Sequence, residues 1–485
     1  MMASAMQALD NTIANVALPR IQGSLSTTQD QMTWVLTSYI IAAAIMTPLS
    51  GWLAGQIGRR RVFLFSLVGF TLSSALCGLA QSLPEIVMAR LLQGLSGAAL
   101  VPMSQAILLD INPPHRHARA MAMWAMAITI GPILGPALGA WLTETYSWRW
   151  VFYINVPLGI LSFVGTLAFV WETPLHKSRF DFFGFATLSL AVGALQLMLD
   201  RGQIEDWFGS PQIWAFACVS AVAFYLFIVH ALTTTEAPFV NLAVFKDRNF
   251  ATGSLFIFII GALMFATLAL LPPLLQDLMN YPVTLTGWIT APRGLGSLVA
   301  MFIVGRIVGR VDTRIILATG FGLAAISSWQ MTNFYLQMDV ATVLWSGVLQ
   351  GLGTGLVYVP LASAAFGTLP PARRNEGTAL FSLIRNIGSS IGISAVTTLL
   401  TRNTQMMHAR LGENITAYLN PWHPGIAAST QSMAMLNQTV TSQAAMIAYN
   451  NNFKLMTILT LCTIPLVLLL RKPSAQAHAE PVVVE

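Results

Sequence analysis

What most constrains this chain is the recurrence of long apolar segments. Fourteen of them are expected along its 485 residues, each close to the roughly twenty residues that carry a helix across a hydrocarbon core of about 30 Å. They fall near 1–18, 32–53, 62–81, 84–109, 120–142 and 150–171, then 182–199 and 211–231, then 251–276, 284–308, 314–334, 341–367, 378–401 and 452–470. Charged residues make up 9% of the chain and hydrophobic ones 55%, where a soluble protein carries about 25% charged. The expected fold class is therefore an all-α polytopic membrane protein with little mass outside the lipid bilayer.

The basic residues set the orientation. With both termini inside, the inner loops and ends collect sixteen Lys and Arg, from Arg59, Arg60 and Arg61 through Lys177 and Arg373 to Lys472. The outer segments hold six: Arg20, Arg149, Arg201, Arg402, Arg410 and Lys454. That bias is the positive-inside rule, and an odd number of spans would scramble it. The net charge of +6 is scattered through short loops, so nucleic acid is not an expected partner. Cys77, Cys218 and Cys462 sit inside apolar spans without metal-like spacing and read as packing residues. No cleavable signal peptide is expected, since the N-terminus lacks a basic stretch followed by a small-residue cleavage site.

The two ends of the chain repeat one another at an offset of 257. Gln93-Gly94-Leu95 returns as Gln350-Gly351-Leu352, Pro113-Pro114 as Pro370-Pro371, and Gly131 and Gly135 as Gly388 and Gly392. Related halves are the mark of a secondary transporter with its substrate site at their interface. The expected organisation is a six-helix half at 1–171, two inserted helices at 182–231, and a second half at 251–470 with a long outer loop at 403–451. A cytoplasmic tail at 471–485 completes it.

Several stretches carry chemistry. Asp10 is a carboxylate in an otherwise uncharged first span, and Arg90 lies inside the fourth, "ARLLQGLSGAALVP". Charges placed there are costly and normally functional. The repeat counterpart of Arg90 is Gly347, so that charge belongs to one half only. A static ion pair tying two spans together is the alternative to a proton-coupling pair. In "IGPILGPALGAW", Gly131, Gly135 and Gly139 share one helix face, allowing a neighbour to approach closely. Pro132 and Pro136 bend the helix beside that face. Between spans 2 and 3, "GWLAGQIGRRR" supplies Gly51, Gly58, Arg59 and Arg60 for a tight turn at the membrane face. Gln93, Arg293, Arg385 and Asn386 are the candidate substrate-cavity residues. "WRWVFYINVP" reads mainly as an interfacial aromatic anchor. There is no phosphate-binding loop, HExxH or Cys/His cluster, so neither an enzyme nor a metal or other cofactor is expected.

At these motifs the chain resembles the major facilitator superfamily, and within it the fourteen-span drug:proton antiporters. The resemblance rests on "LDNTIANVALP", "GWLAGQIGRRR", "RLLQG" and "GPILGPALGA". "LDRG" with "DWF" at 199–208 and "FKDRNF" at 245–250 are similar to EmrB-type multidrug permeases. It implies the major facilitator fold and proton-driven export of lipophilic toxic compounds across a bacterial inner membrane. It also implies a periplasmic adaptor of the EmrA type and an outer-membrane channel of the TolC type. Gly55 stands where the superfamily loop usually has Asp, which places the usual charge relay there in question. A nutrient symporter of the same fold, or a membrane receptor or scaffold, are the competing readings. Arg90, Arg293 and Arg385 against Asp10 alone make an electropositive interior, which favours lipophilic acids and neutral aromatics over dications.

Overall fold

The structure is a computed structural model that describes residues 1–113, 116–172, 175, 179–234, 238–308, 310–370, 373–413 and 430–470. Fourteen helical rods follow one another: α1 (Met2–Leu25), α2 (Gln29–Ile57), α3 (Arg59–Leu79), α4 (Leu83–Ile111, with a turn at 98–99), α5 (His117–Thr145), α6 (Trp150–Phe169) and α7 (Phe182–Arg201). The others are α8 (Pro211–Thr233), α9 (Arg248–Leu278), α10 (Val283–Ile307), α11 (Thr313–Met331), α12 (Val340–Gly367), α13 (Arg374–Glu413) and α14 (Thr430–Leu466). No strand occurs among the described residues beyond one isolated bridge, Val308 to Val311. Among the described residues, twelve rods are individually long and apolar enough to cross a membrane. The exceptions are α1, diluted by Gln7, Asp10 and Asn11, and α11, diluted by Ser327, Ser328 and Gln330. Both still pack within the bundle, α1 on α5 and α11 on α12 and α14.

Local chemistry sets several boundaries. Thr28 and Gln31 form a capping box at the start of α2. Asp181, Ser210, Asp247 and Asp312 cap α7, α8, α9 and α11 with their side-chain oxygens. Pro272 and Pro273 in α9 are followed by a π-helical turn at Leu274–Leu278, a common response to lost ladder bonds.

Two boundaries depart from the sequence expectation. The first span does not stop at Pro19; α1 carries the proline internally and runs to Leu25. Asp10 therefore lies fifteen residues from the end of its helix, about 22 Å at 1.5 Å per residue. The expected outer loop 403–451 is largely helical: α13 continues to Glu413 and α14 begins at Thr430. Hydrogen bonding within each polar helix satisfies its backbone, and His408 bonds Asn437 across the two arms at 3.0 Å. Residues 414–429 and the tail 471–485 lie outside the described residues, as do Pro114, Lys177 and Pro371.

The repeat in the sequence is a repeat in packing. In the first half α1 packs on α5, α2 on α4, and α3 on α4 and α6. In the second, α9 packs on α13, α10 on α12, and α11 on α12 and α14. The halves meet through α5 with α10 and α2 with α13, pairs that the same correspondence interchanges. The inserted α7 packs on α8, on α2 of the first half and on α13 of the second.

The apolar core is divided unevenly. At the end of the bundle bearing the α2–α3 turn, a cluster shared by both halves takes in Leu108, Trp124, Phe250, Val304, Phe366 and Phe381, beside a smaller one of the first half around Val62, Phe63 and Phe70. At the opposite end each half keeps its own cluster, around Ile13, Val35 and Phe152 in one and Leu270, Phe334 and Phe453 in the other. The bundle is closed at the α2–α3 end.

Candidate functional site

Asp10 and Arg90 meet. Arg90 Nη1 donates to Asp10 Oδ2 at 2.8 Å, and both residues are 1% exposed. The other carboxylate oxygen accepts from Gln93 Nε2 at 3.0 Å and Asn155 Nδ2 at 2.7 Å. Asn155 Nδ2 also donates to Ser74 Oγ, 3.0 Å away. Arg90 is held on two further sides: Nη1 donates to Gln93 Oε1 at 2.8 Å and Nε to the Val35 carbonyl at 3.2 Å. Its guanidinium lies 4.8 Å from the centre of the Tyr39 ring and 5.6 Å from that of Phe152. Side chains or carbonyls from α1, α2, α3, α4 and α6 thus close around one ion pair. Such a pair repays its desolvation only when every remaining donor and acceptor is engaged, and here the carboxylate has three donors.

The glycine face of α5 makes this possible. Gly131 faces the backbone at Ala8 and Leu9, Gly135 faces Thr12, and Gly139 faces Ile13 and Val16. Thr12 Oγ1 donates to the Gly131 carbonyl at 3.1 Å. The close neighbour of the glycine stripe is thus α1, the helix that carries Asp10. Pro136 and Ile133 of α5 lie instead against Gly287 and Gly294 of α10, in the other half. Pro132 and Pro136 both sit inside the continuous helix.

At the closed end, Gly58 takes φ +95°, a backbone region open to glycine. Arg59 pairs with Asp110 on α4, and Arg374 at the start of α13 bonds the same carboxylate at 3.2 Å. Asp110 thus bridges the halves, although Gly55 supplies no acid. Arg60 Nη2 donates to the Leu167 carbonyl at 2.7 Å, and its amide to Glu172 at 3.3 Å. Gly51 gives room to Asn375 and Glu376; Glu376 accepts from the Asn241 amide.

The four candidate cavity residues do not assemble as one group. Gln93 is fully buried on Asp10 and Arg90; its amide completes the ion pair and is not available to line a cavity. Arg293 and Arg385 both approach α9 within one turn, Arg293 Nη2 donating to the Met264 carbonyl at 3.2 Å and Arg385 backing onto Gly261. Arg385 also donates to Tyr358 at 3.2 Å and to Asn386 at 3.3 Å. Arg293 Nη1 and Arg385 Nε are buried without a partner among the described residues. Arg293 lies beside Gly347, the repeat counterpart of Arg90. The counterpart of Asp10 is Thr267, which accepts from Gln350 at 2.8 Å as Asp10 accepts from Gln93. The second half therefore reproduces the polar contact and an arginine, without the carboxylate. Beside them is a small, mainly apolar cavity lined by Ile260, Met264, Phe321, Gln350, Val357 and Met456.

Sequence reasoning passed over Asn155, Ser74 and Tyr39 as site residues. Asn155 stood inside a stretch assigned to aromatic anchoring; a lone amide among Val, Phe, Tyr and Ile was its signal. No group of His, Cys, Asp and Glu that could hold a metal occurs among the described residues.

A profile of the Major Facilitator Superfamily matches residues 1–270 and 253–406. The chain is 36% identical over 466 residues to the multidrug export protein EmrB of Escherichia coli K12, covering 93% of this chain and 90% of that relative. It is 35% identical over 477 residues to the fatty acid resistance protein FarB of Neisseria gonorrhoeae, covering 96% and 94%. Among solved structures it superposes on the proton:xylose symporter XylE with a TM-score of 0.60 at 15% identity, over 96% of this chain and 94% of that one. The human organic anion transporter MFSD10 gives 0.60 at 15%, over 95% and 98%. At these identities the two structures support the fold alone.

Proposed function

The chain belongs to the major facilitator superfamily, and on that premise we propose that it is a proton-coupled exporter of lipophilic drugs in a bacterial inner membrane, serving as the permease of a tripartite pump. Its relatives named for multidrug export and fatty acid resistance support the cargo class. The observation that carries the coupling is the buried Asp10–Arg90 pair. Its donor set suits a charged carboxylate. A proton placed on Oδ2 cancels the negative charge that Arg90 pairs with and leaves a weaker acceptor there, so protonation and separation of the pair go together. Because α1 is packed on the glycine face of α5, and α5 on α10, a shift of one half against the other is felt at Asp10.

The basic loops put the α2–α3 end in the cytoplasm. The structure then corresponds to a state closed inward, with Asp110 latching Arg59 to Arg374. Arg293 and Arg385, which have hydrogen-bonding capacity left over and no ion pair among the described residues, favour anionic and neutral guests. The helical arms at 403–413 and 430–451 project on the outer side, where an adaptor of the EmrA type, leading to a TolC-type channel, would dock. They carry exposed Met406, Met433, Met435 and Leu436, adaptable apolar contacts of the kind used at protein surfaces.

The test is transport in proteoliposomes of a fluorescent fatty acid, an anthroyloxy-stearate, under an imposed proton gradient. Gradient-dependent uptake into inside-out particles, abolished by Asp10→Asn with fold retained, is the expected result. Transport indifferent to the gradient, or in the direction of symport, overturns it. Removing the outer arms should spare vesicle transport while abolishing whole-cell resistance; loss of both refutes the docking role.

A further inference from the structure

The two inserted helices carry a carboxylate that the coupling pair does not use. Asp200 lies in the last turn of α7, within the "LDRG" stretch. Its Oδ1 accepts from Gln196 Nε2 at 2.9 Å, and Thr37 of α2 lies beside the carboxylate. Its Oδ2 is buried and has no partner among the described residues. Gln196 in turn accepts from Ser390 of α13 at 2.8 Å, and the Leu199 carbonyl accepts from Ser394 of α13 at 2.9 Å. Asp200 therefore sits where the inserted pair, α2 of the first half and α13 of the second converge.

Its cationic neighbours pair with other groups, although Arg201 Nε and Arg385 Nε keep no hydrogen-bond partner among the described residues. Arg201 bonds Glu205 at 2.7 Å, and its guanidinium lies 5.4 Å from the centre of the Trp34 ring. On the packed elements, the one histidine of α8, His230, bonds Asp181 at the far end of α7. Arg385 of α13 bonds Tyr358 and Asn386, and Arg402 lies two turns beyond Ser394. The charged residue of α2, Asp30, is two turns before Thr37. No ion pair to Asp200 forms among the described residues. The turn after α7 folds Trp207 back over Gly202, covering this end of the helix.

A buried carboxylate oxygen without a donor is costly when charged, and a bound proton removes that cost. The junction that holds it consists of contacts to both halves, and those contacts change when α2 and α13 change their spacing. We propose that Asp200 is a second proton-binding carboxylate of this transporter, taking a proton onto Oδ2 and releasing it as the halves move. The inserted pair then serves the coupling cycle and is more than a spacer between the halves. This rests on the antiport reading above.

The test has two arms. Attenuated-reflection infrared spectra of the full-length protein in lipid, titrated with pH, should show the carbonyl band of a buried protonated carboxyl. Asp200→Asn should remove this band, while Asp10→Asn should leave it. In the proteoliposome assay with anthroyloxy-stearate, Asp200→Asn should lower the slope of log rate against pH by about one, the loss of one titrating proton. Gln196→Leu keeps the carboxyl and should move the midpoint of the band without abolishing it; this holds the test open if the asparagine variant does not fold. An unchanged band in Asp200→Asn, an unchanged midpoint in Gln196→Leu, or an unchanged transport slope overturns the proposal. Failure of the wild type to respond to a proton gradient would instead overturn the antiport reading, and the infrared arm would still report on Asp200.

Discussion

Replacing Asp10 by asparagine keeps the outline of the side chain but not its hydrogen bonding. Arg90 donates to one carboxylate oxygen, while Gln93 and Asn155 donate to the other. An asparagine has a single side-chain oxygen, so whichever way the amide turns, its NH2 faces at least one donor at about the present 2.7–3.0 Å. In either orientation a guanidinium that is 1% exposed loses its counter-charge. Breaking a buried pair by removing one partner costs about 3–5 kcal/mol, much of it the stranded charge. Replacing both partners is far less costly, because no charge is left behind. Asp10→Asn alone and Arg90→Gln alone should each lose about 3–5 kcal/mol, and the double variant no more than the worse single one. The assay is denaturation of purified protein in mixed micelles followed by tryptophan fluorescence, run as a double-mutant cycle. Single variants as stable as the wild type, or losses that add in the double variant, would refute the claim that this ion pair holds five helices together. Transport distinguishes a second question: the double variant, although stable, should not respond to a proton gradient.

Three further outcomes follow from particular contacts. Gly131→Ala presses a methyl group against the backbone of α1 at Ala8 and Leu9, whereas Gly165 has nothing within 4 Å. The first should cost about 1–3 kcal/mol and slow transport, while Gly165→Ala should be silent in both assays. Asp110→Asn weakens the bridge from Arg59 to Arg374, so cysteine probes at the α2–α3 end should become more reactive to a water-soluble maleimide; unchanged labelling would show that the apolar cluster alone keeps that end shut. Outside the spans, burial pushes the Asp181 carboxyl up, but hydrogen bonds from the Gly184 and Phe239 amides and from His230 outweigh it and hold the group below its ordinary value of 3.8. With a depressed folded value, its contribution to stability is complete above about pH 4 and is lost as pH falls through the lower folded value. Asp181→Asn should therefore lower thermal stability at neutral pH, with the difference from the wild type shrinking below pH 4.

The sequence alone determined the class of the fold, because a chain with so few charges and so many twenty-residue apolar runs can satisfy its backbone in lipid only as helices. It determined the duplication too: the offset of 257 reappears as matching helix pairs in the two halves. Asp10 and Arg90 were legible because a charge inside an apolar run is conspicuous, and Gly131, Gly135 and Gly139 because a spacing of four places them on one face. None of those signals contains a partner. Tertiary structure alone decided that the glycine face receives α1, that Asn155 and Gln93 complete the carboxylate's donors, and that Arg293 stands beside Gly347 without an ion pair among the described residues. It also carried α1 past Pro19, which sits in the helix interior and removes one ladder bond without ending the helix. It made helices of the polar arms at 403–413 and 430–451, where low hydropathy had suggested loop. Hydropathy reports a solvent preference, one residue at a time. Which side chains meet is settled by helices far apart in the chain that must bury the same few polar groups together.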